Sequence, residues 1–91
     1  MKLDHNLYLV EKNRMHGGMQ YKYLFPNGLG ASLVRHKGSY GYDKGLWEIA
    51  ALGQDNGFIG MSVLQWNDDV KGYLTAKESK SILNQIYNLE S

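Results

Sequence analysis

Histidines at positions 5, 16 and 36 are the side chains of this sequence best suited to metal or acid–base chemistry. Their separations of eleven and twenty residues match no ligand spacing of a zinc site, and the chain has no cysteine to complete a mixed set. Asp68-Asp69 offers oxygen ligands to a divalent cation, but adjacent carboxylates in N-D-D ahead of Gly72 read as a solvated loop. Ser32, Ser39 and Ser62 lie in no nucleophile elbow, and Asp43 with Glu48 is the only acidic pair near a histidine, His36. The glycines of G-S-Y-G-Y-D-K-G lack the lysine spacing of a phosphate loop and precede a strand pattern, not a helix. The expectation is a protein without catalysis, metal or cofactor.

One stretch invites a binding role instead. His36 to Gly45, HKGSYGYDKG, interleaves basic residues, glycines and tyrosines. It matches the aromatic strand motif of RNA-recognition domains only if Ser39 is deleted, and one extra residue sends every later side chain to the opposite sheet face. Asp43-Lys44-Gly45 also stands where that motif needs an apolar strand. A sequence-tolerant single-strand surface asks for less, and Lys22, Arg35, Lys37 and Lys44 with Tyr40 and Tyr42 supply its residue types. The net charge of +1 is a weak footprint for it, although residues 1–45 hold seven Lys/Arg against three Asp/Glu and residues 46–91 hold three against six. That asymmetry equally suits a mixed-charge protein partner.

The elements that must carry this stretch follow from periodicity. Q-Y-K-Y-L-F (20–25) alternates as a strand with Tyr21, Tyr23 and Phe25 on one face, and Pro26-Asn27-Gly28 turns it into L-G-A-S-L-V-R-H, so residues 20–36 read as a β-hairpin. Leu46 to Leu52 reads as a third strand with Trp47, Ile49 and Ala51 on one side and Glu48 on the exposed side. Gly53 to Gly57 is a dense turn signal, after which Phe58 to Leu64 reads as a fourth strand closing a second hairpin. Thr75-Ala76-Lys77-Glu78 is a capping box opening a helix over 75–89. Its apolar stripe is Ile82, Ile86 and Leu89 with Leu83 and Tyr87, while Lys77, Lys80, Asn84 and Asn88 face water. Residues 1–19 are an N-terminal extension or edge strand, with Leu7 to Val10 as the strand candidate and Met15 to Met19 as a turn. The fold class is α+β: one domain, 1–91, with an antiparallel sheet of four or five strands and one C-terminal helix packed on one face.

Composition sets the setting. With 43% apolar and 21% charged residues the chain is in the globular range. The absence of cysteine removes a disulfide framework, and Asp4, His5 and Asn6 interrupt the N-terminus where a signal peptide needs its apolar run. No window approaches the ~18 apolar residues of a membrane span, so a cytoplasmic protein is expected.

F-P-N-G-L-G-A-S-L-V-R-H, then G-S-Y-G, G-L-W-E-I-A-A-L and D-D-V-K-G-Y-L-T-A-K-E together resemble a family of small uncharacterised proteins encoded by tailed bacteriophages. The matching segments are Phe25 to Gly28, Ala31 to Val34, Ser39 to Gly41, Gly45 to Ala50 and Asp69 to Thr75, and the likeness extends over about residues 20–89. It departs in the N-terminal extension and at Gly41-Tyr42-Asp43, where the family carries another glycine. The resemblance implies an accessory protein acting in the host cytoplasm on a host protein, in host takeover or anti-defence. Arg35, Lys37, Tyr40, Tyr42, Lys44 and Trp47 are the expected partner-binding residues, the aromatics as anchors and the cations as orienting charges. The alternatives are weak single-stranded nucleic-acid binding by the same loop and self-association through an edge strand or the helix.

Overall fold

The computed structural model describes residues 5–89. Five antiparallel strands run in chain order across a single sheet: β1 (Leu9–Met15), β2 (Gly18–Leu24), β3 (Gly30–Arg35), β4 (Trp47–Leu52) and β5 (Val70–Leu74). One helix, α1 (Ala76–Tyr87), packs across it against β3, β4 and β5, giving the α+β architecture read from the sequence. Tyr21, Leu33 and Ile49 lie side by side in register, as do Tyr23, Ala31 and Ala51. The two-residue period therefore puts them all on the helix-covered face. Ile49, Leu83 and Ile86 are fully enclosed there, and burial of each such side chain contributes about 1.5–3 kcal/mol.

The opposite face has no helix over it. Gln20 donates to Ser32 Oγ at 2.9 Å and accepts from Asn13 at 3.3 Å, a polar row across three strands. Lys22 pairs with Glu11 at 3.5 Å beside it.

The connections differ from expectation in two places. The edge strand is Leu9–Met15 rather than Leu7 to Val10; Tyr8 belongs to a short 3-10 turn, and its ring meets Phe25 and Tyr87 on the helix side. The part of the N-terminal extension in residues 1–4 lies outside the described residues. More consequentially, Phe58 to Leu64 is not a strand. After the turn at 53–57 the chain makes one bridge, Leu52 to Phe58, and then curls. Val63 N–H donates to Ile59 at 2.9 Å and Trp66 N–H to Gly60 at 2.9 Å. Ile59, Leu64 and Trp66 pack toward the core, leaving Phe58, Met61 and Val63 exposed. The ring of Trp66 lies where a Cβ on Gly60 would sit, so the glycine permits the curl. The partner of β4 is instead Val70–Leu74.

The helix is clamped at both ends. Thr75 Oγ1 accepts from the Glu78 amide at 3.1 Å and the Glu78 carboxylate accepts from the Thr75 amide at 2.9 Å, the capping box its sequence announces. At the far end the Asn27 amide nitrogen donates to the Ile86 and Leu89 carbonyls, both at 2.8 Å, while its oxygen accepts from Leu29 N–H at 3.0 Å. The turn after β2 thus caps a helix some sixty residues later. Ser79, Leu83 and Ile86 are its buried positions; Asn84, expected to face water, is half-buried.

Asn27→Ala should cost about 1–3 kcal/mol. A fall in Tm of several degrees and faster amide exchange at the last turn of α1 are the observables. Hydrogen bonds from the Thr75 backbone and then its side chain hold the Glu78 carboxyl below its ordinary 4.5. A lowered folded pKa contributes stability above the unfolded value and loses it as pH falls through the folded one. The stability gap between wild type and Glu78→Gln, followed by urea titration, should therefore be full at pH 7 and close on acidification below about 4.5.

Candidate binding site

Residues 36–46 join β3 to β4 and bend around the end of the sheet. Ser39 makes that bend: its hydroxyl donates to His36 O at 2.8 Å and accepts from His36 N–H at 3.1 Å, and it is buried. Both hydrogen bonds of the Ser39 hydroxyl thus go to the His36 backbone, and the His36 ring Nδ1 lies 2.8 Å from Lys37 O rather than on Ser39. Gly41 follows at φ 88 with its α-carbon pressed on Leu46 and Tyr73, where a Cβ would come within 2.9 Å of Leu46 Cβ.

This left-handed residue separates the two tyrosines. Tyr40 lies on the uncovered face: its N–H donates to the Glu48 carboxylate at 3.0 Å, and its side chain covers Gly72. Its ring stacks on Tyr73 at 6.3 Å between centroids, with Lys44 Nζ 5.9 Å from the Tyr73 ring. A bulge in β5 permits this, since Trp47 faces Leu74 while Ile49 faces Lys71, an extra residue on the β5 side. Tyr73 there adopts φ 58 and is 57% exposed, against 53% for Tyr40.

Tyr42, in a 3-10 turn (Tyr42–Lys44), instead reaches the helix-covered face at a corner α1 leaves open. There Gly17, Gly18, Met19, Tyr21, Arg35, Tyr42, Gly45 and Trp47 line a cleft of about 330 Å³. The Arg35 guanidinium lies over the Trp47 ring at 4.6 Å and reaches Gly45 O at 3.4 Å, while Tyr21 closes on Trp47 at 5.9 Å. Stacking on the indole contributes about 0.5–1 kcal/mol at an exposed site and holds the guanidinium plane in place. Gly18 is where β2 crosses the end of β3; any Cβ would collide with the Arg35 carbonyl.

The six expected binding residues thus divide. Arg35, Tyr42 and Trp47 share the cleft, with the Lys37 stem 3.8 Å from the Cβ position of Gly17 at its edge. Tyr40 and Lys44 join Tyr73 on the opposite face, so the tyrosines do not form one surface. Trp47 is half-buried, neither core nor free anchor. Sequence reasoning missed Met19, Tyr21 and Tyr73; Tyr21 shares the two-residue face of Trp47, but their proximity follows only from the strand order. His16 and His36, twenty residues apart, meet edge to face at 5.4 Å because the β1–β2 turn bonds back to Lys37 N–H at 2.9 Å. Among the described residues no group of three or more histidine or carboxylate side chains is placed to hold a metal ion, and no helix is long and apolar enough to cross a membrane. Comparison with protein-family models, curated proteins and solved structures gave no match.

Gly72→Ala should displace Tyr40 from its seat at a cost of about 1–3 kcal/mol. Loss of the Tyr40 and Tyr73 ring-to-ring nuclear Overhauser effects with the Ile49 and Leu83 signals unmoved is the expected outcome.

Proposed function

We propose that this chain is a non-catalytic phage accessory protein that binds a host protein in the host cytoplasm, in takeover of the host or defeat of its defences, with the cleft beneath the 36–46 loop as its contact. The observation carrying this reading is the Arg35 guanidinium lying over Trp47 in a cleft lined by Tyr21 and Tyr42 that the helix leaves open. Aromatic and arginine side chains of this kind carry most interface energy where they are found. The phage origin and the host as target rest on the sequence resemblance alone.

Single-stranded nucleic acid is the less favoured partner. Successive bases need several ring faces presented along one surface, whereas here Tyr40 stacks on Tyr73 on one face of the sheet and Tyr42 and Trp47 lie on the other, with one face of Trp47 under Arg35. Self-association through β1 is disfavoured by the exposed Glu11, Lys12 and Arg14 along that edge strand.

Affinity purification from bacterial host lysate, with and without nuclease, tests the reading. A specific protein retained by wild type after nuclease, and lost from Tyr42→Ala and Arg35→Glu but not from Tyr40→Ala, is expected. Capture abolished by nuclease would transfer the site to nucleic acid, and recovery of the chain alone as an oligomer would leave no role for a host partner.

A further inference from the structure

Among the described residues, the cations at the corner around the cleft have no paired carboxylate. Arg14, Met19 and Arg35 form one row across β1, β2 and β3, and Lys12, Tyr21 and Leu33 form the next, so Lys12, Arg14 and Arg35 all belong to the helix-covered face. Lys12 Nζ lies 5.8 Å from the Tyr21 ring, consistent with that placement. The strand carboxylate nearest in sequence, Glu11, is on the other face, paired with Lys22. Glu48 is likewise turned away, holding Tyr40 N–H, and Asp43 in the 3-10 turn is exposed. Among the described residues Arg35 has no carboxylate partner; its one polar contact is the 3.4 Å reach to Gly45 O.

A guanidinium carries five N–H donors in a planar fork, and stacking on an indole engages its face while leaving the donors other than the one on Gly45 O open. The ligand that completes it is a carboxylate, bound through two parallel N–H···O contacts. Beside it, Tyr21, Tyr42 and Trp47 offer apolar ring surface suited to a stiff, unbranched backbone or a proline ring. An extended segment loses least entropy on entering such a cleft.

We infer that the cleft binds an extended acidic segment of the partner protein, one carboxylate seated on Arg35 and a neighbouring proline or apolar residue against Tyr21, Tyr42 and Trp47. This inference rests on the protein-binding reading above and names the chemistry that the partner presents. Lys12 and Arg14 flank the cleft and set the direction of further acidic residues along the segment.

The test is a titration of the full chain with a blocked peptide alternating glutamate and proline, read on the Trp47 Nε1–H and Arg35 Nε–H resonances. A lysine–proline peptide and single-stranded oligothymidylate are run beside it. Saturable shifts with the glutamate peptide alone are expected, with affinity falling about tenfold or more in Arg35→Glu and less in Arg35→Lys, which keeps the charge and loses the fork. A dispersed amide spectrum for each variant shows that it is folded. The inference is overturned if the glutamate peptide produces no saturable shift, if Arg35→Glu binds it equally well, or if oligothymidylate moves the same resonances at lower concentration. Should the peptide fail while nuclease-resistant capture still depends on Tyr42 and Arg35, the acidic-segment chemistry is wrong and the protein-binding reading stands; should both fail, both are wrong.

Discussion

One helix cannot cover five strands, and the rest of the molecule is arranged around that shortfall. Five strands at about 4.8 Å spacing make a sheet roughly 19 Å wide, and a twelve-residue helix is about 18 Å long but only about 10 Å across. It packs against β3, β4 and β5 and protects that part of the apolar face. The remaining area is closed by other means: Tyr8 at one end, the curl carrying Ile59, Leu64 and Trp66 at one side, and at the last corner only the 36–46 loop. At that corner stand Tyr21, Tyr42, Trp47 and Arg35, side chains that tolerate a surface that is half wet.

The direction of the helix decides which corner stays open, and that direction is fixed by its two caps. The Thr75–Glu78 box starts it one residue after Leu74, opposite Trp47. Asn27 receives its last turn at the other end of the sheet. These contacts tie the turn between β2 and β3 to the last turn of α1. The site is therefore a consequence of helix docking, although the helix contributes no residue to its lining.

The loop adds the second asymmetry. Two tyrosines separated by one glycine would share a face in a strand. Here Gly41 in the left-handed region sends Tyr40 over Gly72 on one face and Tyr42 into the cleft on the other. The β5 bulge matches this on the opposite side of the junction, turning Tyr73 outward to meet Tyr40 while returning Leu74 to the core. A loop that straddles a sheet end in this way couples its two faces, with Ser39 as the fixed point.

Local physics settled much of this protein from the sequence. The alternation of Tyr21, Tyr23, Ile49 and Ala51, the P-N-G turn, the capping box and the apolar stripe of α1 depend on neighbours within a few residues, and those features stand as the sequence implies. Phe58 to Leu64 was beyond its reach: an apolar run with a glycine is compatible with a strand or a packed curl, and the tertiary structure resolves it by setting Trp66 on Gly60 and pairing Val70–Leu74 with β4. Loop composition likewise flagged Arg35, Tyr42 and Trp47, yet not that Tyr21 would face them, that Tyr40 would leave them, or that Asn27 would cap a distant helix. Those are contacts across strands and between a turn and a distant helix end, set by strand order, a bulge and helix docking, which no local spacing encodes.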